Sequence, residues 1–280
     1  MPAPEFLAER PPVDASEPRM IQLVCAWFLL AIGESVADRA ALITGGSGGI
    51  GLAIARRLGE SGYALTISGR QEQKLLKTAE LLANEDLKVE AVVADVTSEQ
   101  AVVDLVAEHK RQWGRLDCLV NNAGIGIGQA LGEIQAKHLD RQLAVNLRAL
   151  VIATRESVEM LRQAGGEHGK ALIVNLASIA GKQSPPWLSV YGATKAAVLS
   201  YSRSTQKELA GSGVCCTAIA PGFVATDMTQ FVQGEGAPER MIQPEDIAEA
   251  VSFLLRLSPS CAIPEIVVSR SEAGPDIEGI

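Results

Sequence analysis

From Val36 onward, short apolar runs alternate with longer segments of helical period. Runs rich in Val, Ile, Ala and Leu fall at Ala40–Thr44, Ala64–Ser68, Val89–Ala94, Cys118–Asn121, Ala171–Leu176, Val214–Ala220 and Glu265–Val268. Most are apolar at successive positions, so both faces need cover, as in a parallel sheet with helices on each side. Segments of helix-like spacing lie between them, near residues 50–60, 71–84, 98–112, 136–164, 189–210 and 244–257. Repeated strand–helix–strand order implies right-handed crossovers. It predicts one α/β domain, doubly wound, with a mostly parallel seven-stranded sheet flanked by helices. No linker, repeat or low-complexity tract interrupts residues 37–270.

The flanks read differently. Residues 1–36 form an N-terminal extension whose first 19 residues are rich in Pro and Glu and read as disordered. Met20–Ile32 is almost wholly apolar but too short to span a bilayer. The residues before it carry more acid than base and show no small-residue cleavage site, unlike a signal peptide. The favoured reading is a helix docked on the body or at a subunit contact. Loose membrane association and an extension foreign to the working protein stay open. The tail, residues 271–280, is rich in Gly, Pro and Glu and reads as loose.

A chain of 280 residues, 47% hydrophobic, suits a substantial core. Its formal net charge of −8 argues against a nucleic-acid surface and against attraction to an anionic membrane. Cysteines stand at 25, 118, 215, 216 and 261 with no Cys-x-x-Cys among them. They read as small core residues in a reducing, cytoplasmic compartment, with Cys215 and Cys216 on opposite faces of a strand. His109, His138 and His168 show no ligand spacing, so no metal site is expected.

Candidate chemistry begins after the first strand, in Thr44-Gly45-Gly46-Ser47-Gly48-Gly49-Ile50-Gly51. Strand before and helix after put this loop where glycines let the backbone approach a pyrophosphate and a helix N-terminus offers free N–H groups. About 20 residues on, an NAD site places a carboxylate on the ribose. This chain has Ser68-Gly69-Arg70 there. A guanidinium pairs with a 2′-phosphate, so NADP(H) is expected over NAD(H).

Tyr191 and Lys195 lie four apart in an Ala- and Leu-rich segment free of Pro, hence on one helix face. An ammonium beside a phenol favours its ionised form, and such a phenol exchanges protons with a carbonyl or alcohol oxygen. Ser178 closes the apolar run before it.

With Asn121-Asn122-Ala123-Gly124, Asn146 and Pro221-Gly222, these motifs resemble, in order and spacing, the short-chain dehydrogenase/reductase family over roughly residues 37–270. The resemblance implies a Rossmann-type fold and a set of roles. Tyr191 is the implied general acid/base. Lys195 holds the nicotinamide ribose and lowers the Tyr191 pKa, and Ser178 steadies the substrate oxygen. Asn146 completes a proton relay through a water near Lys195. Cofactor contacts are implied at Gly45, Ser47, Gly49, Ile50, Gly51, Arg70, Asp95, Val96, Asn122, Ala123, Gly124, Tyr191, Lys195, Pro221, Gly222, Val224 and Thr226. Asp95 would meet the adenine ring, and the Pro221-Gly222 turn and Thr226 the nicotinamide side. Asp95 also reads as a cap for the helix near Ser98, and Thr226 as a turn residue.

The substrate region reads as a gating segment, with Thr226, Asp227 and Met228 at its start and Gly234 and Gly236 supplying mobility. Trp187, in the loop Gly181–Leu188, adds an apolar wall that suits a compact ketone or secondary alcohol, or packs at a subunit contact. Helices near 139–164 and 189–210 are implied to join two or four copies. Three activities compete: an NADP(H)-dependent carbonyl reductase or alcohol dehydrogenase, an epimerase or dehydratase, and a dinucleotide sensor or scaffold without turnover. The chain keeps the whole Ser–Tyr–Lys set, which favours the first.

Overall fold

The computed structural model describes residues 38–183, 185–230 and 240–271. The N-terminal extension, the gating segment around Gly234 and Gly236, and the tail beyond residue 271 lie outside the described residues.

Seven strands form one sheet: β1 (Ala40–Thr44), β2 (Ala64–Gly69), β3 (Val89–Val93), β4 (Cys118–Asn121), β5 (Ala171–Leu176), β6 (Val214–Pro221) and β7 (Glu265–Val268). Their order across the sheet is β3-β2-β1-β4-β5-β6-β7, and every neighbouring pair is parallel. The helices are α1 (Gly49–Glu60), α2 (Glu72–Ala83), α3 (Glu99–Trp113), α4 (Ala136–Leu143), α5 (Ala149–His168), α6 (Ala180–Gln183), α7 (Ser189–Glu208) and α8 (Pro244–Arg256).

Strand side chains alternate between two cores, as period-two geometry dictates. Ile43, Ile67, Val120 and Val174 pack against α1, α2 and α8 through Ile54, Leu58, Leu75, Ile247 and Val251. Leu42, Leu119 and Ile173 point the other way, onto Leu105 and Val106 of α3 and Met160 and Leu161 of α5. Leu119 is fully buried, and truncating such a side chain to Ala costs roughly 2–5 kcal/mol. Cys215 and Cys216 fall in opposite cores, as their adjacency requires. The edge strands β3 and β7 are only partly covered, unlike the five central ones.

The β1–β4 pairing brings distant parts of the chain together. At its lower end the Asp117 carboxylate accepts from Ala40 N at 2.9 Å and from both Nε and Nη2 of Arg115 at 2.8 Å. Asp117 is buried, and removing its partner would leave an uncompensated charge, a loss of roughly 3–5 kcal/mol.

Two expectations need correction. The segment 136–164 is not one regular helix: α4 and α5 are joined by a wider π-helical turn at Ala144–Arg148, and α5 runs on to His168. It passes Gly165 because that residue touches the backbone of Gly213, where a Cβ would stand 2.7 Å from the Gly213 carbonyl oxygen. The loop expected from Gly181 begins instead as the short α6. Among the described residues, no helix is long and apolar enough to cross a membrane.

Candidate active site

The glycine loop leaves the upper end of β1. Gly45 has φ of +66°, and a Cβ there would lie 2.9 Å from Asn122 Nδ2. Gly51 is tighter still, since a Cβ would lie 2.3 Å from the Gly45 carbonyl oxygen. Only glycine lets the first turn of α1 close onto the strand end at this point. No side chain caps α1 at Gly48, and no acidic residue stands in its first turn. That uncapped N-terminus opens on the cleft and suits an anionic group.

The neighbouring strand end locks the loop. Asn122 Nδ2 donates to the carbonyls of Thr44 (3.0 Å) and Gly45 (2.9 Å). Thr44 Oγ1 accepts from the backbone N–H groups of Asn122 and Ala123, each at 3.1 Å. Asn121, by contrast, faces inward and bonds Asn175 and Thr154.

A cleft of about 710 Å³ runs along the upper ends of the central strands. Its size is that of a small-molecule or cofactor site. Of the expected residues, Gly45, Ser47, Gly49, Ile50, Asn122, Ala123, Gly124, Ser178, Tyr191, Lys195, Pro221, Gly222, Val224 and Thr226 line it. Gly51 supports the loop from behind. Arg70, Asp95 and Val96 are not part of the lining. Arg70 is exposed just beyond β2, where Gly69 stands against the Ser47 side chain. Asp95 is held below the usual carboxylate range by hydrogen bonds from Thr97 N and Thr97 Oγ1, with a smaller contribution from Arg70. The cap of α3 is Ser98, not Asp95.

Ser178 follows β5, and its Oγ accepts from Ala180 N at 3.1 Å, which opens α6. Tyr191 enters from the first turn of α7 and lines the cleft with Ser178, whose hydroxyl acts to lower the phenol's pKa. Lys195, one turn later, is 4% exposed, donates from Nζ to the Leu176 carbonyl at 2.7 Å, and stands 5.8 Å from the Tyr191 ring centre. Burial lowers its pKa to about 8. Burial raises the Tyr191 pKa, and Ser178 opposes it. Lys195 is not among the causes of that shift, and its ammonium is directed at the Leu176 carbonyl.

Asn146 lies in the π-helical turn, buried. Its Oδ1 accepts from Ile125 N at 2.8 Å, and its Nδ2 donates to Ile125 O at 2.9 Å and Thr194 Oγ1 at 3.0 Å. Thr194 in turn donates to the Tyr191 carbonyl at 2.7 Å. The side chain thus fixes both the loop after β4 and the start of α7.

Trp187 has φ of +43°, a conformation that strains a bulky residue by on the order of 1–3 kcal/mol. Its carbonyl accepts from Gln129 N at 2.8 Å, joining two loops at the cleft mouth. The residue is 46% exposed and lines the cleft with Leu188, Phe223 and Met228. Sequence reasoning missed Lys74, which lines the cleft from α2. No motif in the sequence marks it; α2 places it there, with the Thr78 hydroxyl donating to the Ser47 carbonyl at 3.1 Å.

An all-parallel, doubly wound sheet with a glycine loop at its central crevice defines the Rossmann-like class. A family model described as short chain dehydrogenase matches residues 39–235, and the chain belongs to that family of oxidoreductases. It is 33% identical over 233 residues to an uncharacterized oxidoreductase of Staphylococcus saprophyticus, covering 82% of this chain and 97% of that one. Among solved structures it is similar to an alcohol dehydrogenase from the archaeon Thermococcus sibiricus complexed with 5-hydroxy-NADP. The TM-score is 0.77 and the identity 28%, over 85% of this chain and 98% of that one. It is also similar to a 3-ketoacyl-(acyl-carrier-protein) reductase from Brucella melitensis complexed with NADH, with a TM-score of 0.76 and 28% identity over 84% and 98%.

Proposed function

We propose that the protein is an NADP(H)-dependent oxidoreductase that interconverts a ketone and a secondary alcohol, with Tyr191 as general acid and base. The observation that carries this reading is the meeting of Ser178, Tyr191 and Lys195 in one cleft, with the Lys195 ammonium 5.8 Å from the Tyr191 ring centre. A bound nicotinamide dinucleotide supplies or accepts the hydride at the substrate carbon. Ser178 and Tyr191 grip the carbonyl oxygen, and Tyr191 gives it the phenolic proton as negative charge develops. A phenol whose pKa is raised stays protonated at neutral pH, which suits the reductive direction. In the oxidative direction the tyrosinate takes the alcohol proton. Lys195 would hold the nicotinamide ribose, and Asn146, bonded to Ile125 and Thr194, would hold the geometry through which the phenol is reprotonated. The cofactor fits the uncapped end of α1 and the glycine loop beside it, with Arg70 as the group that favours a 2′-phosphate.

The substrate is a compact apolar carbonyl compound: Trp187, Leu188, Phe223 and Met228 supply the cleft wall away from the glycine loop. Two or four copies associate through α5 and α7, in line with the family resemblance. The test is NADPH oxidation against a panel of ketones, with Tyr191→Phe as control. Turnover falls to background in the variant while NADPH still binds; near-normal turnover in Tyr191→Phe overturns the mechanism.

A further inference from the structure

Lys74 sits in the first turn of α2, four residues after Arg70, and reaches over the glycine loop. A Cβ built on Gly48 would meet its Cε and Nζ at 3.3 Å. The same Nζ donates to Asp227 Oδ2 at 2.7 Å. Asp227 begins the segment beyond β6, 153 residues away in sequence, and both side chains line the cleft. The ion pair therefore spans the cleft from the β2 side to the β6 side, beside the uncapped end of α1.

This is an unusual place for a carboxylate. The loop and helix end are built to receive a negative group, yet the Lys74 ammonium over Gly48 is neutralised by Asp227. The pair is also weakly held: the two side chains are 45% and 75% exposed, and such pairs are screened by water and salt. A phosphate entering the loop brings more charge and more acceptor oxygens than a carboxylate.

We propose that Lys74 is a phosphate-binding residue of the dinucleotide site and that Asp227 holds its place until the ligand arrives. Binding transfers the ammonium from Asp227 to a dinucleotide phosphate and frees the Asp227–Thr229 turn from its tether to α2. The turn survives the exchange, because Thr229 Oγ1 donates to Val224 O at 2.6 Å and accepts from Thr226 N at 3.2 Å independently of Asp227. The inference rests on the reading of the cleft as a dinucleotide site.

Calorimetric titration of the full chain with NADPH tests it, in a double-mutant cycle. Asp227→Asn removes the competitor and tightens binding about two- to fivefold, the range of one exposed ion pair. Lys74→Met weakens binding roughly tenfold, the loss of a charge-assisted hydrogen bond. In the Lys74→Met background, Asp227→Asn changes affinity less than about twofold, since nothing remains for the carboxylate to hold. A parallel NADH titration locates the phosphate. A loss shared by both ligands assigns Lys74 to the pyrophosphate and one confined to NADPH to the 2′-phosphate, and either upholds the exchange. Equal affinity of Lys74→Met and wild type overturns it. So does tightening by Asp227→Asn that persists without Lys74, which would mark simple repulsion. Wild-type protein that binds neither dinucleotide overturns the reading of the cleft, and the exchange with it.

Discussion

The carboxamide of Asn146 bonds both backbone polar groups of Ile125, accepting from its N–H at 2.8 Å and donating to its carbonyl at 2.9 Å. One buried side chain thereby mimics a strand partner for the loop after β4. Replacing it with Ala strips Ile125 of two partners and Thr194 of one. Asn146→Ala is expected to lose roughly 1–3 kcal/mol of stability and to bind NADPH more weakly. Urea unfolding and equilibrium titration check this; an unchanged midpoint and affinity would contradict it.

The expected effects of Gly→Ala changes differ in sign. At Gly51 a Cβ would strike the Gly45 carbonyl oxygen at 2.3 Å, so Gly51→Ala distorts the loop and dinucleotide binding is lost. At Gly166, inside α5, nothing lies within 4 Å of the added methyl. Gly166→Ala should stabilise the protein by about 0.4–1 kcal/mol through the unfolded chain alone. Thermal unfolding and NADPH titration of the two variants separate these outcomes.

Arg70 is exposed at the end of β2, where no carboxylate favours an unphosphorylated ribose. Arg70→Glu is expected to raise the KM for NADPH steeply and leave that for NADH nearly unaffected. A wild-type preference for NADH in steady-state kinetics would refute the assignment.

His109 gives the fold an acid limit. The imidazole is fully buried in α3, with Nε2 2.9 Å from the Arg115 carbonyl and Nδ1 2.8 Å from Thr66 Oγ1. The carbonyl only accepts, so Nε2 carries the hydrogen, and Nδ1 accepts from a hydroxyl that itself accepts from Trp113 Nε1 at 3.0 Å. Burial lowers the pKa from 6.5 to about 4. The unfolded chain therefore binds this proton first, and stability falls as pH drops through that interval. The full loss is on the order of 3 kcal/mol. His109→Gln should flatten the fall, as read by urea unfolding from pH 7 to pH 4.5.

Much of this was legible in the sequence because the central strands are buried on both faces. Ala40–Thr44, Cys118–Asn121 and Ala171–Leu176 are strands with the very limits that their apolar runs define. The wider turn at Ala144–Arg148 was not legible, since a single π-helical turn inside a long helical segment has no residue signature of its own. Nor was α6, whose four residues carry no period. It is made by Ser178 and by Gly181 pressing on the backbone of Lys195 and Ala196. The spacing of Tyr191 and Lys195 placed both on one face of α7, and both line the cleft. The burial that raises one pKa and lowers the other belongs to the tertiary structure and has no local signature.

The pairing of β1 with β4 has a consequence for how the molecule comes into being. Thr44 and Gly45 arrive with the first three strands, and Asn122 and Ala123 with the last four. The cleft takes its lining from both portions, so it is complete only when they pair, from the Ala40–Asp117 contact upward. Whatever then occupies the crevice fastens that pairing by mass action.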